Sequence, residues 1–338
     1  MHTRGLLLGL VSALVFLTGY QSAFYKPTGN VLVSYSENQA VPYVLGSSDI
    51  SMGCSLGQSF SPFLLSFEGS GVDVDNVAIL MNTMSGFCAD EQASEAELRQ
   101  LRAIATGQSA EAQDALIAQK RFDAIAARRQ YNGYLRMVEV FGEPGESCPK
   151  LRSDKDEFYY LVGLINGLQA SQNNIAANQM SNVPMSVVNK VGRGAECLDA
   201  EKWWGVPLAI KATVWSMMPS NAPKDSNPRA LLKEASDIGS EQGVRLSYVF
   251  EAEVYKAASD KAGLKRVIHR HAMAMINHPA DEKRQMLDAM AAFYLQHLSD
   301  RLWTETRGHR TPVGQYGQFW QERPKTPAEP EIDIDDLI

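Results

Sequence analysis

The sequence predicts a mainly α protein, with paired antiparallel helices forming a helical-repeat or irregular α-bundle body and an irregular arm on its N-terminal side. Apolar residues recur at three- and four-residue spacing from residue 73 to beyond residue 300, the period of helices with one buried face. Short Gly, Pro, Asn and Asp breaks punctuate that pattern, as connections between neighbouring helices do. Hydrophobic residues make up 45% and charged residues 21% of the chain, a balance that supports a substantial core.

Residues 1–23 carry Arg4 ahead of an apolar run over 6–17, closed by small and polar residues, the layout of a signal or membrane-anchor segment. The run is shorter than the roughly 20 residues that cross a bilayer comfortably. A periplasmic or exported envelope location follows, the protein being either soluble or tethered by residues 6–17. The segment "LTGYQS" is similar to a bacterial lipoprotein processing box up to Gly19, but Tyr20 stands where the lipid-accepting cysteine belongs. Without a thiol there can be no thioether to lipid. Ala23 follows Gln21 and Ser22, which is also a poor peptidase site. Cleavage, tethering, and replacement of a parental cysteine by Tyr20 all stay open, as does a buried first helix.

Residues 24–72 are rich in Ser, Gly, Pro and β-branched or aromatic types, with Val31, Val33 and Tyr35 alternating, so an irregular or short-stranded arm is expected. "SMGCSLGQSFSP" suggests a tight turn beside a ligand or a covering loop pinned by Cys54.

The N-terminal helical half is expected over 73–195. Val77, Leu80, Met81 and Met84 form one stripe, and Ser94 three residues before Glu97 reads as a capping box. A long amphipathic helix follows from 109 to about 141, stopped by the prolines and glycines of "GEPGESCPK". The next helix, from about 154 to 180, bears an amide-rich shoulder with Gln169, Gln172, Asn173 and Gln179, suited to a polar cavity or an interhelical network. "VGRGAECLDAEKWWG" marks a central break, and a C-terminal half over 196–308 repeats a helix-turn-helix rhythm. There Asn227 is the expected N-cap with Pro228 at the first helical position. An extended acidic tail over 309–338 closes the chain, its "YGQFW" able to dock an aromatic anchor on the body.

Cys54, Cys88, Cys148 and Cys197 all follow the signal-like segment, and an even number in an exported chain suggests two disulfides. Three pairings are possible, and four buried thiols are the alternative. Their wide spacing excludes the usual zinc-ligand patterns, so no metal is expected. His269 and His271 stand about 200° apart on a helix, a poor chelate. His278, His297 and His309 are scattered. No Gly-x-Ser-x-Gly elbow or dinucleotide fingerprint occurs, so no catalytic residue and no cofactor is assigned. The net charge of -7 and the lack of a basic cluster argue against nucleic acid.

Trp203, Trp204 and Trp215 with Tyr248, Phe250 and Tyr255 gather in the C-terminal half, where they would serve either the core or a binding surface. Arg193, Lys202 and Lys211 could add positive potential for an acidic ligand. The candidate ligand- or partner-binding residues are therefore Trp203, Trp204, Trp215, Tyr248, Tyr255, Gln172 and Asn173. The incomplete lipoprotein box, "WWGVPLAIKATVW" and "LKEASDIGSEQGVRLSY" together resemble the periplasmic helical-repeat, tetratricopeptide-like lipoproteins associated with tripartite carboxylate transporters. That resemblance covers 73–310 and implies a noncatalytic envelope scaffold, a transport accessory with a central pore or cleft and a protein partner. An envelope protein or a second copy of the chain would be the partner, with a small molecule as a further ligand. The alternative is an exported enzyme acting on envelope material through the 51–61 segment.

Overall fold

The computed structural model describes residues 24–145 and 147–320. The signal-like segment, Tyr20 and the acidic end of the tail lie outside the described residues. Among the described residues no strand occurs, and the mainly α expectation holds. The helices are α1 (24–35), α2 (Val41–Leu45), α3 (Ile50–Leu65), α4 (Asp75–Ala105), α5 (Ser109–Phe141), α6 (Asp154–Ala176), α7 (Ser186–Ala195), α8 (Val206–Met217), α9 (Pro228–Glu241), α10 (Ser247–Ala257), α11 (Lys261–Asn277) and α12 (Gln285–Arg307). Successive helices pack on one another from α3 to α6 and from α6 to α11, and α12 returns to α4, α2, α3 and α10. The array therefore closes into a bundle.

Helix ends follow their local chemistry. The Asn227 side chain accepts from Ala230 N at 3.2 Å with Pro228 at the start of α9, Ser153 accepts from Asp156 N to begin α6, and Asp260 accepts from Gly263 N to begin α11. Each satisfies a donor that the first helical turn leaves unpaired. The Ser94–Glu97 pattern does not cap anything, because α4 runs through it without a break. No Gly or Pro precedes Ser94 closely enough to stop the helix, and Glu97 turns instead to partners on α12.

The irregular or short-stranded arm is the expectation the structure corrects. Residues 24–45 are helical with one π-turn at Ser36–Ala40, and the Ser/Gly-rich stretch is helix α3. Its small residues let α3 approach α4 closely: a β-carbon at Gly57 would stand 2.7 Å from Met84 Cβ and 2.8 Å from Ser85 N. Tertiary contact thus outweighs the low helix propensity of glycine, about 1 kcal/mol per residue. The Cys54–Cys88 disulfide joins the same two helices. Val33, Leu64, Val72, Val74, Val77 and Met81 form a core between the N-terminal segment and α4. Arg136 on α5 closes it from outside through Glu68 at 2.7 and 2.8 Å and Asp75 at 2.7 Å.

The largest apolar cluster extends from Ile79 on α4 to Phe250 on α10, so the two helical halves share one core. Between them, Trp204 and Gly205 both adopt left-handed backbone, with φ of 54° and 74°. Glycine is required at the second position, since a β-carbon there would meet the Ala235 backbone. The Cys148–Cys197 disulfide ties the 142–153 connection to the end of α7. The tail turns back through residue 320: Trp320 packs edge-on to Trp303 at 5.2 Å, and Tyr316 and His271 share a hydrogen bond of 2.8 Å. The expected aromatic anchor is docked, on α11 and α12.

Arg245 is almost fully buried and joins three elements. Its Nη2 donates to Asp288 Oδ2 at 2.6 Å, its backbone N donates to Asp288 Oδ1 at 3.0 Å, and Nη1 donates to the carbonyls of Ala274 and His278. Truncating one partner of a buried ion pair strands the other charge. Asp288→Ala is expected to lower stability by about 3–5 kcal/mol in urea denaturation. The Cys148→Ser/Cys197→Ser chain, which opens a loop of sequence separation 49, should lose about 2–4 kcal/mol in the same measurement without changing its helical circular dichroism.

Candidate functional site

A cavity of about 1150 Å³, open to solvent on one side, is lined by α4, α5, α6, α8, α10, α12 and the 218–228 connection with the start of α9. Its polar floor is a carboxyl network. Asp90 on α4 accepts from Tyr294 Oη on α12 at 2.5 Å, from Gln130 Nε2 on α5 at 2.8 Å and from Asn173 Nδ2 on α6 at 2.6 Å. Asn173 Nδ2 also donates to Gln130 Oε1 at 2.8 Å, which orients both amides. Gly86, one turn before Asp90, admits the Gln130 side chain, since a β-carbon there would stand 2.7 Å from Gln130 Cγ.

Asp123, one helical face along α5, also lines the cavity. Asp90 and Asp123 are 5% and 6% exposed, and neither takes part in an ion pair among the described residues. Burial pushes the Asp90 carboxyl up to about 7, against the three hydrogen bonds that favour its charged form. Asp123 is pushed up to about 7 by burial and then by the charges of Asp90 and Glu97. Its Oδ2 and the Thr213 Oγ1 are buried without a hydrogen-bond partner.

The other wall carries matched charges. Glu97 lies 2.8 Å from His297 Nε2 and 3.2 Å from Arg301 Nε. Burial raises its carboxyl, but the His297 hydrogen bond and the His297 and Arg301 charges overcome this and hold it near 2. The carboxylate is therefore the acceptor and His297 Nε2–H the donor. Lys256 pairs with Glu253 on the preceding turn of α10 at 2.8 Å. Gln119, Gln169, Gln172 and Trp215 complete the lining nearest these groups, with Lys211 Nζ 5.3 Å from the Trp215 ring centroid. Among the described residues, no group of three His, Cys, Asp or Glu side chains is placed to hold a metal ion.

The structure brings together three of the seven candidates from the sequence: Gln172, Asn173 and Trp215 line the cavity. Trp203 and Trp204 do not reach it. They are buried against each other at 5.2 Å, with Trp203 Nε1 donating to Glu157 and Arg284 stacked on Trp204. Tyr248 packs under Arg270 and beside His271, away from the cavity, and Tyr255 stacks with Arg229 near the cavity rim. Asp90, Asp123, Gln130 and Tyr294 carry no sequence signature, because their meeting depends on helices up to 204 positions apart. Ser55 bonds its own helix at Ser51 O and faces outward, so the 51–61 segment and the cavity are separate. Comparison of the chain with protein-family models, curated proteins and solved structures finds no match.

The two raised carboxyls have a signed consequence. From about pH 4, where they ionise when unfolded, to about pH 7, the folded chain holds protons the unfolded chain has released. They therefore subtract stability as pH rises through that window. His271, lowered to about 3 by burial and then Arg245, acts oppositely between about 3 and its ordinary 6.5, so a wild-type profile mixes both. Asp90→Asn removes the Asp90 contribution together with its charge on Asp123: near-equal stability to wild type is expected at about pH 4.5, and a gain for the variant on the order of 2–4 kcal/mol by about pH 8.

Proposed function

We propose that this protein is a noncatalytic scaffold of the bacterial cell envelope that holds a small polar molecule in the cavity and engages a protein partner as a transport accessory. The observation that carries the reading is the cavity itself: a large solvent-open cleft with hydrogen-bonding amides, carboxyls and an aromatic wall, placed where α12 returns to α4. Two disulfides support an oxidising location, and among the described residues no helix is long and apolar enough to cross a membrane. A periplasmic site and a partner remain part of the proposal. The acidic net charge of -7 fits a protein or small-molecule partner better than nucleic acid.

A second reading, an exported enzyme acting on envelope material, draws on the Glu97–His297 pair in the cavity wall beside Asp90 and Asp123. Histidine and carboxylate within hydrogen-bond reach are the parts of acid–base chemistry. Against it, His297 donates toward Glu97 and, among the described residues, meets no serine or other nucleophile within hydrogen-bond distance. Native mass spectrometry of the protein released gently from the envelope separates the two. The scaffold reading expects a stoichiometric bound molecule or subunit in the wild type, with the small molecule lost from Gln172→Trp, which puts an indole into part of the cavity. A bare wild-type monomer together with turnover of envelope material that His297→Ala abolishes would replace it with the enzyme.

A further inference from the structure

We propose that the floor of the cavity is a subsite for an organic ammonium group, held between Asp90 and Asp123. The inference rests on the cavity being a binding site and adds the chemistry of what it holds. Four carboxyl side chains line the cavity, and they fall into two kinds. Glu97 and Glu253 already have cations from the protein, Arg301 and Lys256 respectively, and Glu97 also accepts from His297. Asp90 has only neutral donors, the Tyr294 hydroxyl and the Gln130 and Asn173 amides. Asp123 has Oδ2 buried with no partner, and Thr213 Oγ1, buried on the α8 wall, is also unpartnered. A buried carboxyl without a partner costs free energy until something supplies the missing donor or charge.

An ammonium group fits what is missing. It carries three N–H donors and no acceptor, and its charge would offset Asp90 and Asp123, the first of which raises the second. Lys256 and Lys120 act on Asp123 only through space, Lys256 being paired with Glu253 and Lys120 bonded to Asn178, and among the described residues no cation forms an ion pair with Asp90 or Asp123. A dicarboxylate would place further negative charge against Asp90 and Asp123. The lining beyond them, Gln169, Gln172 and Trp215, suits the polar and apolar parts of a small amine's body.

Capture is coupled to protons. The groups facing Asp90 and Asp123 are Tyr294 and His297 from α12, Glu253 and Lys256 from α10, Glu97 from α4 and Lys120 on α5. Both aspartates hold protons up to about pH 7, so an ammonium ion that requires their charged forms must displace those protons. Affinity should therefore rise with pH through that range.

The test is isothermal titration calorimetry of the full chain, after removal of copurified small molecules, with probes of one length: 1,4-diaminobutane, 4-aminobutan-1-ol, butane-1,4-diol and succinate. Both amines should bind and the diol should not. Amine affinity should strengthen about tenfold between about pH 5.5 and about pH 8, with proton release seen as a dependence of the heat on buffer. Asp123→Asn should weaken the amines about tenfold or more and suppress part of that proton release, while Lys283→Ala, exposed on the α11–α12 connection outside the cavity, should leave both unchanged. Circular dichroism establishes that each variant is folded, and Asp90→Asn gives an independent second removal of charge. Binding of the diol or succinate as tight as that of the amines would overturn the ammonium subsite while leaving the cavity a binding site. Amine binding undiminished in both aspartate variants would also overturn it. Failure of every probe would overturn it too, whereas the molecule retained in native mass spectrometry decides the broader reading separately.

Discussion

Four helices meet at the carboxyl of Asp90. Its hydrogen bonds reach Gln130 on α5, Asn173 on α6 and Tyr294 on α12, so one side chain on α4 connects elements that lie far apart in the chain. A carboxyl at 5% exposure is tolerable only because each oxygen finds donors, and the donors are themselves ordered by the Asn173–Gln130 bond. The same convergence produces the cavity floor. Were α12 to stop short of α4, the array would be open on that side and Asp90 would face water instead of Tyr294.

Closure is secured away from the cavity by interactions of a different kind. Arg245 and Asp288 anchor the start of α12 beneath α10 and α11, and the Phe87, Phe293 and Tyr294 rings interlock α4 with α12 at centroid distances of 5.2 and 5.3 Å. The Cys54–Cys88 bond holds α3 on the outer side of α4, and Met286 and Met290 from α12 fill the same cluster. Apart from Tyr294, which also reaches the cavity floor, these contacts fix the position of α12 without using the groups that line the cavity. Polar residues there are consequently free to be poorly satisfied, as Asp123 and Thr213 are, because the stability that they forgo is restored by packing elsewhere. Carboxyls without ion-pair partners thus stand on one side of the cavity and charge-paired ones on the other.

Much of the helical architecture was legible in the sequence. The 109–141 helix follows from its apolar face and from the Pro/Gly run after it, and the α9 cap from Asn227 and Pro228, because periodicity and capping are local chemistry. Gln172 and Asn173 stood out as amides on an otherwise apolar helix, and they do line the cavity. Misreadings arose where local preference met a tertiary contact. Gly53 and Gly57 resemble turn residues, yet both lie within helix α3, and at Gly57 the α4 backbone comes too close for a side chain. Ser94 and Glu97 resemble a cap, yet Glu97 is held by His297 from the other end of the chain.

By itself, then, the sequence determined where the helices of the body run, the four cysteines available for pairing, and which faces must be buried, since each depends on neighbours within a few turns or on composition. Which cysteines pair, that Trp203 and Trp204 belong to the core while Trp215 lines the cavity, and that Asp90 and Asp123 share its floor were decided only by the tertiary structure. The physical reason is that burial, charge compensation and donor supply are properties of a place in space. Residues as remote as Asp90 and Tyr294, 204 positions apart, acquire their chemistry only when α12 returns to α4.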